Sequence, residues 1–210
     1  KIKVIRGQRR SFVHFAAKQA ARLELIAKSG KALVGYDPAL TICYRDEYTQ
    51  MLGDRRGEFD VKLPEEWLNE QFGTKTFVDR FAKIKDKVEQ AARTDEFKDP
   101  YFLFTHCTER ALITQSPVLW QTLMQHFFIN VIPETVACCG MAGLFGHIAK
   151  NHDETYAVYE KNWKGKIESH DFKHCLITGF SCRSQVHRME GKEAVHPLFV
   201  LNDLLNKALK

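Results

Sequence analysis

The sequence contains no apolar run near the roughly 20 residues that a helix needs to cross a bilayer. It also lacks a signal peptide, because the segment 1–6, which contains three basic residues, is not followed by an apolar core. The excess of one charge is small, with 31 Lys and Arg against 26 Asp and Glu. The basic residues near the start are typical of a solvated helix face or a linker. These absences predict a cytoplasmic protein that does not bind nucleic acid. They leave open a peripheral association with the inner face of the membrane.

The 210 residues, of which 44% are hydrophobic, suffice for a sizeable core. The first residue is lysine, and we therefore expect a fragment of a longer protein. Six cysteines without a secretion signal indicate reduced thiols and not a disulfide framework. Neighbours such as Cys138 and Cys139 also make poor structural disulfides. Reduced cysteines at organised positions favour metal, cluster or redox chemistry.

Hydrophobic spacing predicts alternating strands and helices. The predicted helices cover residues 10–29, 41–52, 64–72, 74–93, 117–128, 141–150, 153–163 and 197–209. The predicted strands cover residues 32–36, 101–105, 130–137 and 174–178. This order predicts an α/β fold, with a Rossmann-like, mostly parallel sheet flanked by helices.

Four chemically notable residues lie within a few positions beyond the carboxyl ends of predicted strands: Asp37, Cys107, Cys138 and Cys182. Ligands bind at the carboxyl edge of open α/β sheets, so we expect the cysteines to meet there. Thiolate is the ligand that iron–sulfur clusters and zinc select. Adjacent cysteines suit a multi-iron cluster better than one tetrahedral ion. Zinc and simple burial of small apolar side chains both remain open on spacing alone.

Other residues near the cysteines are candidates for supporting roles. Gly140 and Gly143 belong to a glycine-rich turn whose backbone N–H groups can stabilise an anionic cluster. The turn lacks the spacing of a dinucleotide loop. His106 is placed to hydrogen-bond a cluster sulfur, and Arg183 is a candidate charge partner. Cys175 lies within an apolar strand and is predicted to belong to the core.

Three segments carry a resemblance to a known family. They are His106-Cys107, the run Cys138-Cys-Gly-Met-Ala-Gly143, and Gly179-Phe-Ser-Cys182. They resemble the cysteine-rich CCG domain found in heterodisulfide reductases and related redox proteins. The run Tyr44-Arg-Asp-Glu-Tyr48 is similar to the C-terminal region of FAD-linked oxidases, of the D-2-hydroxyglutarate or D-lactate dehydrogenase type.

The resemblance implies an iron–sulfur electron-transfer domain, of the 4Fe–4S type, that passes electrons from flavin to an acceptor. FAD and ferredoxin-like domains would lie upstream, so this fragment alone would not be catalytic. Residues 1–30 would end a preceding CCG repeat, and residues 31–210 would form the last one. The implied ligands are Cys107, Cys138, Cys139 and Cys182. A family cysteine aligns with Leu40. Cys43 is a further candidate ligand because it lies three residues later, about one helical turn from that position. The alternative is a zinc-bound or metal-free docking domain.

Overall fold

A computed structural model describes residues 6–210. The chain divides into two compact units, Lys1–Pro64 and Glu65–Lys210, here called the first and second units. Small parallel sheets flanked by helices confirm the predicted α/β class, and 63% of the structure is helical. The boundary between the two compact units lies after Pro64. The boundary predicted at residues 30–31 separates two sequence repeats, which is a different kind of division, and it stays a prediction.

The first unit contains a long helix, two short helices and two short strands. These are α1 (Arg9–Lys28), β1 (Leu33–Val34), α2 (Pro38–Arg45), α3 (Glu47–Leu52) and β2 (Val61–Lys62). Helix α1 buries Phe12, Ala16 and Ala20, which follow one another at the four-residue spacing of one helix face. Strand β1 pairs in parallel with β2 alone. Asp37 caps α2 by accepting the Leu40 N–H at 3.0 Å.

The second unit holds most of the helices and one three-stranded sheet. Its helices are α4 (Pro64–Phe72), α5 (Lys75–Ala82), α6 (Lys85–Ala92), α7 (Cys107–Leu112), α8 (Ser116–His126), α9 (His152–Tyr159), α10 (Gly165–Glu168), α11 (Phe180–Glu190) and α12 (Pro197–Leu209). Its strands are β3 (Tyr101–Phe104), β4 (Val131–Pro133) and β5 (Cys175–Ile177). In the described part of the chain, no helix has the length and apolar character needed to cross a membrane.

Strand β3 lies between β4 and β5 and is parallel to both. Alternate residues of the strands enter different hydrophobic cores, because successive side chains point to opposite faces of a sheet. Leu103 and Leu176 belong to one core, while Phe104 and Ile177 belong to the other. All four side chains are fully buried. Burial on both faces is typical of parallel sheets and explains why these strands are apolar throughout.

The helix predicted over residues 74–93 is wrong in its extent. It breaks into α5 and α6, because the N–H groups of Lys83 and Ile84 bond to carbonyls three residues back instead of four. The helix predicted over residues 141–150 is also wrong. Only short 3₁₀ turns occur there, at Phe145–His147 and Ala149–Asn151. Positive φ angles just before these turns prevent an α-helix from starting there.

Two further expectations are corrected by the sheet topology. Residues 32–36 do not form a buried strand of the main sheet, because β1 pairs only with β2 and its residues are half-buried or exposed. Asp37 therefore follows a strand of a different sheet from the three cysteine-bearing loops. Helices α7 and α11, which the sequence did not predict, begin in two of those loops.

We predict that Leu103→Ala lowers the free energy of unfolding by about 2–5 kcal/mol, because it removes a fully buried side chain at the centre of the sheet. Leu209→Ala makes the same chemical change on a side chain that is 57% exposed and should cost no more than ~0.5 kcal/mol. Urea unfolding of both variants measures the difference. Equal losses would contradict the central position of β3.

Candidate functional site

The carboxyl ends of β4, β3 and β5 lie at the same edge of the sheet, since the three strands are parallel neighbours. Cys107 is the first residue of α7 after β3, and Cys182 lies in the first turn of α11 after β5. Cys138 and Cys139 occupy the loop after β4. The sheet therefore delivers cysteine from three loops to one edge, which is where ligands bind in open α/β sheets.

The four thiols lie close enough to influence one another's ionisation. The pKa of Cys138 responds to the thiols of Cys107 and Cys139, and Cys182 shifts the pKa of both Cys107 and Cys139. Cys139 and Cys182 are buried, whereas Cys107 and Cys138 are half-buried. The structure thus brings together all four cysteines that the sequence singled out, with one pair inside the protein and one pair toward solvent.

Neighbouring groups shift the pKa values of three of the thiols in different directions. The pKa of Cys138 is lowered, first by the Cys107 and Cys139 thiols and then by the N–H groups of Gly140 and Ala142. The Gly140 nitrogen lies 3.4 Å from the Cys138 sulfur. The neighbouring Cys138 thiol raises the pKa of both Cys107 and Cys139, and burial adds to each shift. The thiolate form is therefore favoured at Cys138 and disfavoured at Cys107 and Cys139.

The loop after Cys139 turns its backbone N–H groups toward the sulfurs. Gly140, Ala142 and Gly143 have φ angles of 91°, 41° and 67°, and the Met141 N–H bonds to Cys139. Successive N–H groups in such a turn form a concave site that favours negative charge. A Cβ atom at Gly140 would lie 2.5 Å from the Thr155 carbonyl oxygen, so this position requires glycine.

Two side chains fix the cysteine loop through its backbone carbonyls, and neither was predicted from the sequence to have this role. The Trp163 indole donates to the Ala137 carbonyl at 3.0 Å, and the Asn162 amide donates to the Cys138 carbonyl at 3.2 Å. Both donors follow α9 in a π-helical turn, Glu160–Lys164. Such a turn often occurs at functional sites, but the sequence offers no pattern for it.

His106 caps the start of α7, and it does not act as a base toward the nearby Ser181 hydroxyl. Its Nδ1 atom accepts the Thr108 N–H at 3.1 Å. In the neutral ring the proton is then on Nε2, which lies 3.3 Å from the Ser181 hydroxyl and donates to it. A histidine in this tautomer cannot take the proton of Ser181. The predicted contact of His106 with a cluster sulfur stays a prediction.

Arg183 lies beside the cysteines but binds backbone oxygens. Its guanidinium donates to the carbonyls of Ile177 and Thr178 at 2.9 and 2.8 Å. It thereby satisfies carbonyl groups at the end of β5 and fixes the entrance to α11. The predicted interaction of Arg183 with a bound anion stays a prediction.

The remaining two cysteines lie in hydrophobic cores. Cys175 is fully buried in β5, where burial raises the pKa of its thiol to about 12, and its predicted core position is confirmed. Cys43 is buried in the core of the first unit with Phe12 and Tyr48. Leu40, the position that aligns with a family cysteine, is 49% exposed. A ligand role for Cys43 stays a prediction.

No three side chains of His, Cys, Asp or Glu in residues 6–210 surround a single point as ligands of one metal ion. A preformed site for one zinc ion needs four ligands about one centre, and no such group is found in this part of the chain.

Comparison with known proteins relates the chain to a class of dehydrogenases. It is 38% identical over 201 residues to each of the D-2-hydroxyglutarate dehydrogenases of Haemophilus influenzae and Escherichia coli. It is 37% identical to that of Pantoea ananatis. The matches cover 96% of this chain. The chain matches a segment of D-2-hydroxyglutarate dehydrogenases. It spans only 18–19% of the length of these three relatives.

The relationship to D-2-hydroxyglutarate dehydrogenases, predicted from the Tyr44–Tyr48 segment, is thus confirmed, whereas the resemblance of the cysteine motifs to the CCG domain stays a prediction. No family model matches the chain. No solved structure matches it either.

We predict that Gly140→Ala destabilises the second unit more than Gly191→Ala. Both glycines have positive φ, so both alanines would cost about 1–2 kcal/mol for the left-handed backbone. Only Gly140 lacks space for a Cβ, whereas Gly191 has nothing within 4 Å. Denaturant unfolding should therefore show a further loss of at least about 1 kcal/mol for Gly140→Ala. Equal losses would contradict the close approach to Thr155.

Proposed function

We propose that this chain is the iron–sulfur electron-transfer part of an FAD-linked 2-hydroxy-acid dehydrogenase, with Cys107, Cys138, Cys139 and Cys182 as cluster ligands. The observation that supports this proposal most strongly is that four neighbouring thiols gather at the carboxyl edge of the β4–β3–β5 sheet. The similarity to D-2-hydroxyglutarate dehydrogenases supports the redox context and suggests a D-2-hydroxy acid as the substrate of the whole enzyme.

The donor set fits a multi-iron cluster better than a single ion. Thiolate is the usual ligand of iron–sulfur clusters, and each of four thiolates can bind a different iron. Neighbours such as Cys138 and Cys139 are then compatible, although they do not surround one centre. When bound, such a cluster supplies one-electron acceptance and release. A 4Fe–4S type is proposed on the resemblance to the CCG domain, because four thiolates can hold a 2Fe–2S cluster as well.

The residues of the chain would bind the cluster and set its electrostatic environment. The N–H groups of Gly140, Met141 and Ala142 face the sulfurs of Cys138 and Cys139. Hydrogen bonds to cluster sulfurs are one of the means by which proteins tune reduction potentials. Cys139 and Cys182 would anchor the buried side. Cys107 and Cys138, which are half-buried, would form the side through which electrons exchange with a partner.

Substrate oxidation would take place on FAD in another part of the enzyme, and this chain would carry electrons from the flavin to an acceptor. Its proposed partners are accordingly the FAD and ferredoxin-like domains of the same enzyme. The proposed location is the cytoplasm or the inner face of the membrane. We propose Cys43 as a further candidate ligand, and loss of iron in Cys43→Ser would support that role. The alternative proposal, a zinc-bound or metal-free docking domain, is separated from the first by metal analysis.

We expect Cys139→Ser and Cys182→Ser, made in the full enzyme, to lower bound iron and sulfide by at least about tenfold. A hydroxyl is a poor ligand for iron at neutral pH, and a change of ligand should cost at least as much as a change of its surroundings. Reduction of the flavin by substrate should continue, while reduction of the acceptor should fall. Anaerobic iron and sulfide analysis with EPR measures the first effect, and stopped-flow absorbance separates the two electron transfers.

Cys175→Ala is the matched control, since this buried cysteine lies in the same sheet but is not one of the four proposed ligands. It should cost about 1–3 kcal/mol of stability and leave the iron content unchanged. Loss of the cluster in Cys175→Ala, with retention in Cys182→Ser, would refute the ligand assignment. One equivalent of zinc without sulfide, or no metal at all, would favour the docking alternative.

A second expectation concerns catalysis by the 210-residue chain alone. We predict that it does not oxidise D-2-hydroxy acids with an artificial electron acceptor, because the proposed flavin site lies outside it. Steady-state dye reduction by the purified chain measures this. Turnover at a rate close to that of the full enzyme would show that the chemistry occurs within these 210 residues.

A further inference from the structure

The second unit contains two buried carboxyl groups joined by one hydroxyl. Glu65, at the start of α4, and Glu109, in the first turn of α7, both have no exposed surface. The Ser116 hydroxyl oxygen lies 2.5 Å from an oxygen of each. Burial of an ionised carboxyl is costly, so the proton content of this group of three residues needs an explanation.

The hydrogen-bond inventory requires a carboxyl proton. A serine hydroxyl has a single hydrogen, and an ionised carboxylate can only accept. Ser116 can therefore donate to one of its two carboxyl neighbours, and the other neighbour must donate to Ser116. One of the two glutamates accordingly carries a proton.

Glu109 is the member that accepts from Ser116, because its two oxygens already accept from several other donors. Thr178 donates its hydroxyl hydrogen to Glu109, and the Trp120 indole and the His106 N–H donate at 3.3 and 3.2 Å. Glu65 contacts Ser116 through one oxygen, and its other oxygen is buried without a hydrogen-bond partner among residues 6–210. An unpaired buried oxygen is far less costly on a neutral acid than on a carboxylate.

The hydrogen bonds of Glu109 join two of the loops that carry cysteines. Glu109 completes the capping box at the start of α7 and lies two residues after Cys107, the first residue of that helix. Thr178, which donates to Glu109, lies between β5 and the start of α11, which carries Cys182. Thr178 also accepts the His106 N–H at 3.0 Å. Glu109 thus ties the start of α7 to the start of α11.

We infer that Glu65 is a positioning residue that retains its proton at neutral pH and, through Ser116, holds Glu109 where it joins the loops of Cys107 and Cys182. This inference rests on the proposed function in one respect: the ligand role of Cys107 and Cys182 is the reason why the distance between their loops matters. The relay itself, Glu65 to Ser116 to Glu109, stands on hydrogen-bond geometry alone.

The electrostatic surroundings agree with a neutral Glu65. Burial raises its pKa well above the usual value, and the charges of Glu109 and Glu66 raise it further. A raised pKa stabilises the fold fully below the usual carboxyl value, and this contribution is lost as pH rises toward the pKa of the folded state. Wild type should therefore lose stability relative to Glu65→Gln over that interval.

Glu65→Gln is the decisive variant because an amide can donate to Ser116 as a protonated carboxyl does. In the full chain at pH 7, the infrared difference between wild type and Glu65→Gln should show the loss of one carboxylic-acid carbonyl band. Alkylation of Cys107 in metal-free protein should stay within about twofold of the wild-type rate. Glu66→Gln is the matched control: it removes a neighbouring charge outside the relay and should leave the band in place.

Glu65→Ala and Ser116→Ala each interrupt the relay and should speed alkylation of Cys107 by about tenfold or more, because a buried partner is left unsatisfied. If either variant fails to fold, the infrared band and the Glu65→Gln rate decide. The inference is overturned if Glu65→Gln removes no acid band, or if it speeds alkylation as much as Glu65→Ala. These measurements need no bound cluster, so an absence of iron and sulfide in wild type would refute the proposed function alone.

Discussion

Parallel pairing of β3 with β4 on one side and β5 on the other is the constraint on which the second unit depends. Because all three strands run the same way, the loops that follow them emerge at one edge, and each brings cysteine to it. The same pairing buries both faces of the sheet, with Leu103 in one core and Phe104 in the other. An antiparallel β4 or β5 would send its cysteine to the opposite edge.

Polar contacts then adjust what the sheet brings together. In the loop of Cys138 and Cys139, the Gly140 N–H contacts the Cys138 sulfur, while the side chains of Trp163 and Asn162 donate to backbone carbonyls. The starts of α7 and α11 are joined by Glu109, whose buried oxygens accept from several donors. A buried carboxyl group is tolerated only when its oxygens are satisfied in this way, and this makes the region sensitive to loss of any single partner.

The proposed electron-transfer role explains the unequal surroundings of the four thiols. An electron carrier needs thiolate ligands that are stabilised from within and a side that a partner can approach. Here Cys139 and Cys182 are buried while Cys107 and Cys138 are half-buried. In this proposal the substrate is oxidised on a flavin in another part of the enzyme, and the chain itself spans about a fifth of the length of its D-2-hydroxyglutarate dehydrogenase relatives.

The amino-acid sequence alone determined the α/β class, helices such as α1, α4 and α12, and the four cysteines of the proposed site. These features were predictable because apolar periodicity and residues that follow strands are local patterns. Tertiary structure decided the break between α5 and α6, the non-helical loop after Cys139, and the bond from Glu65 to Ser116, which lie 51 positions apart. Such features depend on which distant groups packing brings into contact, and local periodicity carries no record of those contacts.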